Sequence, residues 1–183
     1  SKQIVENVNE ISEKMDVTQG KLVIGLDILS NMENLQIVSL VYNTILGDGA
    51  NSMMFQNVRE KASLAYSARS TFVKQKLNIF IRCGIQIENY EKAVDLIKVQ
   101  LDNIKNGEFT EEDVQNAKTY LISSLKNVEE EQDTEIIYYI GQEIAKTNMS
   151  LEEYISKIET VTKEQVVELA NSIQINTVYF LKN

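Results

Sequence analysis

The sequence predicts an α+β fold: an antiparallel sheet of about four strands with helices packed on one face. Three observations carry that expectation. The run from Leu77 to Glu88 alternates strictly, with Leu77, Ile79, Ile81, Cys83, Ile85 and Ile87 set against Asn78, Arg82, Gln86 and Glu88, which is the period of a strand with one buried face. The second half of the chain repeats its apolar residues at helical spacing behind three helix-start signatures. The elements also arrive in the order β, α, α, β, β, several helices, β, with too few strands for a sandwich and an antiparallel hairpin in place of crossovers.

Taken in order, residues 1–20 are polar and read as a lead-in helix or linker, and 21–183 as one domain. Lys21–Ile28 is the first strand, with Leu22, Ile24, Leu26 and Ile28 on one side and Val23, Gly25 and Asp27 on the other. Ile37–Leu46 is a mostly apolar helix, stopped at Gly47-Asp48-Gly49, where glycine permits the positive φ of a helix exit. A short helix from Ala50 to about Glu60 has Met53, Met54, Phe55 and Val58 as its apolar side. Ser63–Val73 and Lys76–Ile87 form a hairpin turning at Lys74-Gln75-Lys76. Asn89 is positioned to cap a helix with the stripe Tyr90, Ala93, Ile97, Leu101 and Ile104, ending at Gly107. Thr110-Glu111-Glu112-Asp113 opens the next helix, which buries Val114, Ala117, Leu121, Leu125 and Val128. A helix follows from about Glu131 to Lys146. Ser150-Leu151-Glu152-Glu153 and Thr162-Lys163-Glu164-Gln165 open two short ones. Asn176–Leu181 is the last strand.

Composition narrows the function. An apolar share of 43% with 25% charged residues is that of a chain that folds around a core. Helices and strands here are punctuated without any proline. With 27 acidic and 18 basic residues the net charge is -9, which argues against nucleic acid as a partner. Solubility is the plain reading of that charge, and an attraction for basic peptides the sharper one. No apolar run nears the ~18 residues that span a bilayer, and Ser1-Lys2-Gln3-Ile4 does not open a signal peptide. A cytoplasmic setting is expected, and the chain reads as a possible cut from a longer protein.

Catalytic groups are scarce. Cys83 is the single cysteine and the chain has no histidine, so no disulfide and no Cys-His dyad can form; Cys83 is expected to be a buried structural thiol. Zinc prefers nitrogen and sulfur ligands, so an all-carboxylate zinc site would be poor. The acidic run Glu129, Glu130, Glu131, Asp133 and Glu135 lacks the glycine turn and spacing of a calcium loop and reads as a solvated helix junction. Gly47–Gly49 lacks the lysine spacing of a phosphate loop.

The segment from Gly47 to Ser67 has more to say. Gly47-Asp48-Gly49, then Ser52-Met53-Met54-Phe55, then Val58-Arg59-Glu60-Lys61-Ala62-Ser63-Leu64-Ala65-Tyr66-Ser67 resembles the C-terminal, non-zinc half of the insulinase, pitrilysin and mitochondrial processing peptidase family. The likeness covers about residues 20–183, making 21–183 an insulinase-like C-terminal domain. It departs in two respects: Met54 stands for the leucine of the family's Leu-Phe, and the turn is Gly-Asp-Gly and not a full run of glycines. The resemblance implies that two such halves close around an extended peptide. Zinc is then held by the other half, on a His-x-x-Glu-His helix with a further glutamate downstream, and no cofactor is bound here. It further implies that Arg59 and Tyr66 contact substrate. On the residues alone Arg59 reads as a surface ion-pair residue and Tyr66 as a packed strand tyrosine. Glu60 and Lys61 read as solvated, and Met53-Met54-Phe55 as core or a contact with the other half. The expected partners are a zinc-bearing N-terminal domain or homologous subunit and an unfolded or extended peptide, with no membrane. The alternative is a member that has lost peptidase activity and serves as a peptide-binding or assembly subunit.

Overall fold

The computed structural model describes residues 7–14, 19–127, 146 and 149–182. Five strands form one sheet: β1 Asn9–Lys14, β2 Gly20–Ile28, β3 Ala65–Val73, β4 Asn78–Ile85 and β5 Ile173–Lys182. Their spatial order is β1-β5-β2-β4-β3. Every pairing is antiparallel except β1 with β5. The described helices are α1 Leu35–Gly47, α2 Tyr90–Lys105, α3 Glu111–Lys126, α4 Leu151–Glu159 and α5 Lys163–Ala170. A wider, π-helical segment runs over Met54–Lys61.

Alternation decides which face of the sheet is buried. Leu22, Ile24 and Leu26 of β2 lie opposite Cys83, Ile81 and Ile79 of β4, and all six are at most 3% exposed. Val178 and Phe180 of β5 continue the same row. Burying each of the larger side chains contributes about 1.5–3 kcal/mol. The helices cover this face: α1 lies against β3, α3 and α5, and α2 packs on α5 and on the π-helical segment.

One expectation changes at the start of the chain. Residues 9–14 are not a lead-in helix but a fifth strand, laid parallel on the edge of β5 from Asn9↔Thr177 to Lys14↔Lys182. All six side chains are exposed, so no apolar alternation announced it; the strand is held by main-chain pairing and by bonds such as Tyr179 Oη to Glu13 Oε2 at 2.8 Å. Helix starts match the sequence signals well. Thr110 with Asp113 and Thr162 with Gln165 close reciprocal capping boxes, and Ser150 Oγ accepts from the Glu153 amide. Asn89 does not cap α2 with its side chain; a 3-10 turn, Ile87–Asn89, leads into the helix instead. Val128, the run from Glu129 to Glu135 and all of the helix expected at 131–146 except Lys146 lie outside the described residues.

The two turn glycines serve different ends. Gly49 has φ +96°, the left-handed exit that glycine favours. Gly47 is the buried last residue of α1, where a Cβ would lie 2.5 Å from both the amide nitrogen and Oγ of Ser70. The helix end is pressed onto β3, and Ser70 Oγ donates to the Asn43 carbonyl at 3.2 Å. In an exposed helix Gly→Ala gains about 1 kcal/mol. Here Gly47→Ala is expected to lower stability by about 1–3 kcal/mol because strand backbone must move, measured as a lower urea midpoint at unchanged slope.

Candidate functional site

The residues between α1 and β4 build the site. The segment Met54–Lys61 points Met54 and Val58 fully into the core. Its turns are one residue wider than those of an α-helix, as in the Ala62 amide donating to the Asn57 carbonyl at 3.2 Å. Such segments are rare and recur at functional sites. Asn57 Nδ2 donates to Gln100 Oε1 at 2.6 Å, and Gln100 Nε2 donates to the Leu96 carbonyl at 3.2 Å, so a buried amide ties the segment to α2. The exit passes through Ser63 in the left-handed region, φ 53°, with the Leu64 amide donating to the Val58 carbonyl.

β3 begins with an irregularity. Ala65 pairs with Ile85, but Ser67 pairs with Gly84. Tyr66 is therefore the extra residue of a β-bulge, a device that re-aims a side chain. Ile85 faces the core and Gly84 the other side, so Tyr66 and Ser67 both lie on the outward side of the sheet. Tyr66 is 48% exposed. Its hydroxyl accepts a hydrogen bond from Gln86 Nε2.

Arg59 completes the constellation. Its Nε donates to the main-chain carbonyl of Tyr66 at 2.9 Å, and the guanidinium stacks 4.6 Å from the centre of the Phe55 ring. Nη1 lies 3.5 Å from Glu60 Oε1, a half-exposed pair that contributes little by itself. Stacking and the carbonyl bond fix the plane of the guanidinium. The depression over Arg59, Ser63, Leu64, Tyr66 and Gln86 holds about 360 Å³. A larger one, about 400 Å³, lies at the other end of β3 against Gly47–Ala50 and Tyr120, whose hydroxyl donates to Asp48 Oδ1 at 3.2 Å.

Two predicted residues are thus brought into direct contact, and chemistry elsewhere is thin. Among the described residues no group of three or more His, Cys, Asp or Glu is placed to hold a metal ion. With no imidazole in the sequence, the donor set does not fit zinc. None of the described helices is long and apolar enough to cross a membrane. Cys83 is buried and free.

Residues 3–121 match the family model described as the peptidase M16 inactive domain. The chain belongs to that family. This M16 inactive domain is 36% identical over 179 residues to "Probable inactive metalloprotease YmfF" of Bacillus subtilis, covering 94% of this chain and 41% of that protein. It is 26% identical over 167 residues to an "Uncharacterized zinc protease" of Rickettsia bellii, covering 87% of this chain and 38% of that protein. Among solved structures, a conserved protein from Enterococcus faecalis superposes with a TM-score of 0.85 at 23% identity, over 100% of this chain and 43% of the other. A peptidase M16 inactive domain from Pseudomonas fluorescens gives 0.73 at 20% identity, over 99% and 45%. Those likenesses show the fold. The M16 domain spans about two fifths of the length of the curated relatives it matches.

Sequence reasoning missed Gln86 as the partner of the Tyr66 hydroxyl, Asn57 and Gln100 as the anchor of the π-helical segment, and the bulge itself. Only the last left a signal: Tyr66 and Ser67 are successive polar residues where strict alternation would return one of them to the core.

Burial pushes the Cys83 thiol up to about 12 from 9.0, because a thiolate loses its hydration in the core. An acid whose pKa is raised by folding contributes fully below its unfolded value and loses that contribution as pH climbs toward the folded one. Stability is therefore expected to decline above pH 9 at up to about 1.4 kcal/mol per pH unit from this group. Cys83→Ala should remove that slope in urea titrations at pH 8 and pH 10. At pH 8 a thiol reagent is expected to label Cys83 no faster than the chain unfolds.

Proposed function

We propose that this domain is the non-catalytic half of a two-half zinc endopeptidase, where it forms one wall of a peptide cleft and turns Arg59 and Tyr66 toward the substrate. The opposite wall is a zinc-bearing N-terminal domain or a homologous subunit. The observation that carries the reading is the 2.9 Å bond from Arg59 Nε to the carbonyl of the bulged Tyr66. That contact ties the Arg59 side chain to the Tyr66 main chain, and Gln86 holds the Tyr66 hydroxyl, at one half-exposed depression.

The chemistry follows from the donors. When water attacks a peptide carbonyl, its oxygen gains charge. A phenol that accepts its own hydrogen bond from Gln86 keeps its proton free to donate outward to that oxyanion. The Nη groups of Arg59 present N–H donors in a plane held by Phe55, suited to a neighbouring peptide carbonyl. Metal and general base come from the other half, so the 183 residues alone are expected to hydrolyse nothing.

A second reading has a specific observation behind it: the relative at 36% identity is named as an inactive metalloprotease. In that reading the cleft binds extended peptide without turning it over, and the pair serves recognition or assembly.

Both readings are tested on the intact protein with zinc and a panel of unfolded peptides. In an active protein, Tyr66→Phe is expected to lower kcat about 100- to 1000-fold, the usual loss of one oxyanion donor, with KM little changed. Arg59→Gln should act mainly on KM. Where peptides bind without turnover, the same two variants should weaken binding. If turnover and affinity both stay at wild-type levels in both variants, the site has been put in the wrong place.

A further inference from the structure

We propose that Gln100, a buried residue of α2 outside the depression, is a positioning residue for the peptide site: its bond to Asn57 selects the wide, π-helical register of Met54–Lys61 and so sets Arg59 against Tyr66. This rests on the peptide-cleft reading above and adds to it the device that keeps the site in shape.

Apolar burial does not choose that register. Met54 and Val58, the two residues the segment buries, stand four apart. An α-helix carries the second about 40° past a full turn from the first, and a helix whose bonds close one residue later leaves it about as far short. Both forms lay the pair on the core. The stack of Arg59 on Phe55 has the same spacing and is equally indifferent. Asn57 is not. Three residues after Met54, it points about 50° apart in the two forms, and by Arg59 the difference has grown to about a quarter turn. Whatever fixes the direction of Asn57 therefore fixes where the guanidinium starts from.

Gln100 does this. It is the one polar residue among those that α2 buries, in a row with Ala93, Ile97, Leu101 and Ile104, and it is 2% exposed. An amide buried there costs free energy unless it is bonded. Both of its ends are used: Nε2 donates to the Leu96 carbonyl at 3.2 Å, which orients the group, and Oε1 accepts from Asn57 Nδ2 at 2.6 Å. The Asn57 carbonyl in turn accepts the Ala62 N–H at 3.2 Å, the five-residue bond that marks the wide turn. Arg59 lies inside that closed loop, and its Nε–H reaches the Tyr66 carbonyl at 2.9 Å. Selecting a register is the best-attested use of a buried polar group.

The test uses the intact protein, isotope-labelled for NMR, with the Arg59 Nε–H resonance identified by its loss in Arg59→Gln. In the wild type that proton is expected to exchange slowly with water. Gln100→Met replaces a buried amide by an apolar side chain of similar size and leaves only the half-exposed Asn57 amide to water. The urea midpoint should therefore hold or rise, while exchange at Arg59 quickens about tenfold, the worth of one hydrogen bond. Asn57→Ala, which breaks the same bond from the other side, should quicken it equally. Affinity for extended peptide, or KM where the protein turns over, should worsen in Gln100→Met as it does in Arg59→Gln. The double variant should be no worse than Arg59→Gln alone, because the two residues act in one chain of contacts. Wild-type exchange at Arg59 in either folded variant overturns the proposal. So does a lowered midpoint in Gln100→Met with a loss that adds in full to that of Arg59→Gln, which would make Gln100 a core residue only. Quickened exchange in both variants with peptide affinity and turnover unchanged upholds the link to Arg59 and overturns the peptide-cleft reading instead.

Discussion

One-sided burial of the sheet is the constraint on which everything else in this domain hangs. Side chains alternate along a strand, so a strand that gives Ile24, Ile81 or Val178 to the core must give its neighbours to the opposite side. A slip of one residue anywhere would drive Arg82 or Arg69 under α1 and lift Ile81 into water. Burying one unpaired guanidinium costs several kcal/mol, far more than the modest preference of a residue for strand over helix. The apolar row fixes the register, and the register fixes what the open face displays.

The bulge at Tyr66 is the place where that rule is locally suspended. Regular pairing from Ala65 onward would send Ser67 inward and put Ala68 outside. One extra residue restores the phase: Ala68 and Ser70 return to the core, while Tyr66 and Ser67 share the outer side. Its consequence is twofold. A large aromatic side chain is turned outward at the mouth of a depression, and its main-chain carbonyl accepts the Arg59 Nε–H. The outward Tyr66 comes from this interruption of pairing, beside a helix whose own turn is a residue wider than that of an α-helix.

The sequence announces the parts of this architecture that repeat and misses the parts that do not. β4 is readable because six apolar residues alternate without interruption, and α3 and α5 because Thr110–Asp113 and Thr162–Gln165 supply reciprocal hydrogen bonds at fixed spacing. β1 is invisible because none of its side chains is buried; it exists through main-chain bonds to β5, which any residues but proline can make. Asn89 misleads because the local 3-10 turn already satisfies the chain where a cap was expected. Arg59 and Tyr66 stand out by a motif, and their mutual contact goes with the bulge, which exists only in the pairing of β3 with β4. The pairing of Arg69 with Arg82 needs the hairpin register, which the four-residue connection Lys74–Leu77 sets and no periodicity within one strand reveals.

Net charge is a coarse guide to the field at any one place on the surface. A total of -9 suggests basic partners, and the described helices do carry more carboxylates than lysines. But exposed charges further off than about 8–10 Å are largely screened at physiological salt. The field felt by a chain lying on the sheet is set by what stands within that radius. On the outward side of the sheet Arg82 stands opposite Val23 and Arg69, and the Tyr66 hydroxyl is held by Gln86. Glu60 is close to Arg59 and is partly neutralised by it at 3.5 Å. Helices on one face and an open sheet on the other thus let the surroundings of one site differ from what the total charge of the chain suggests.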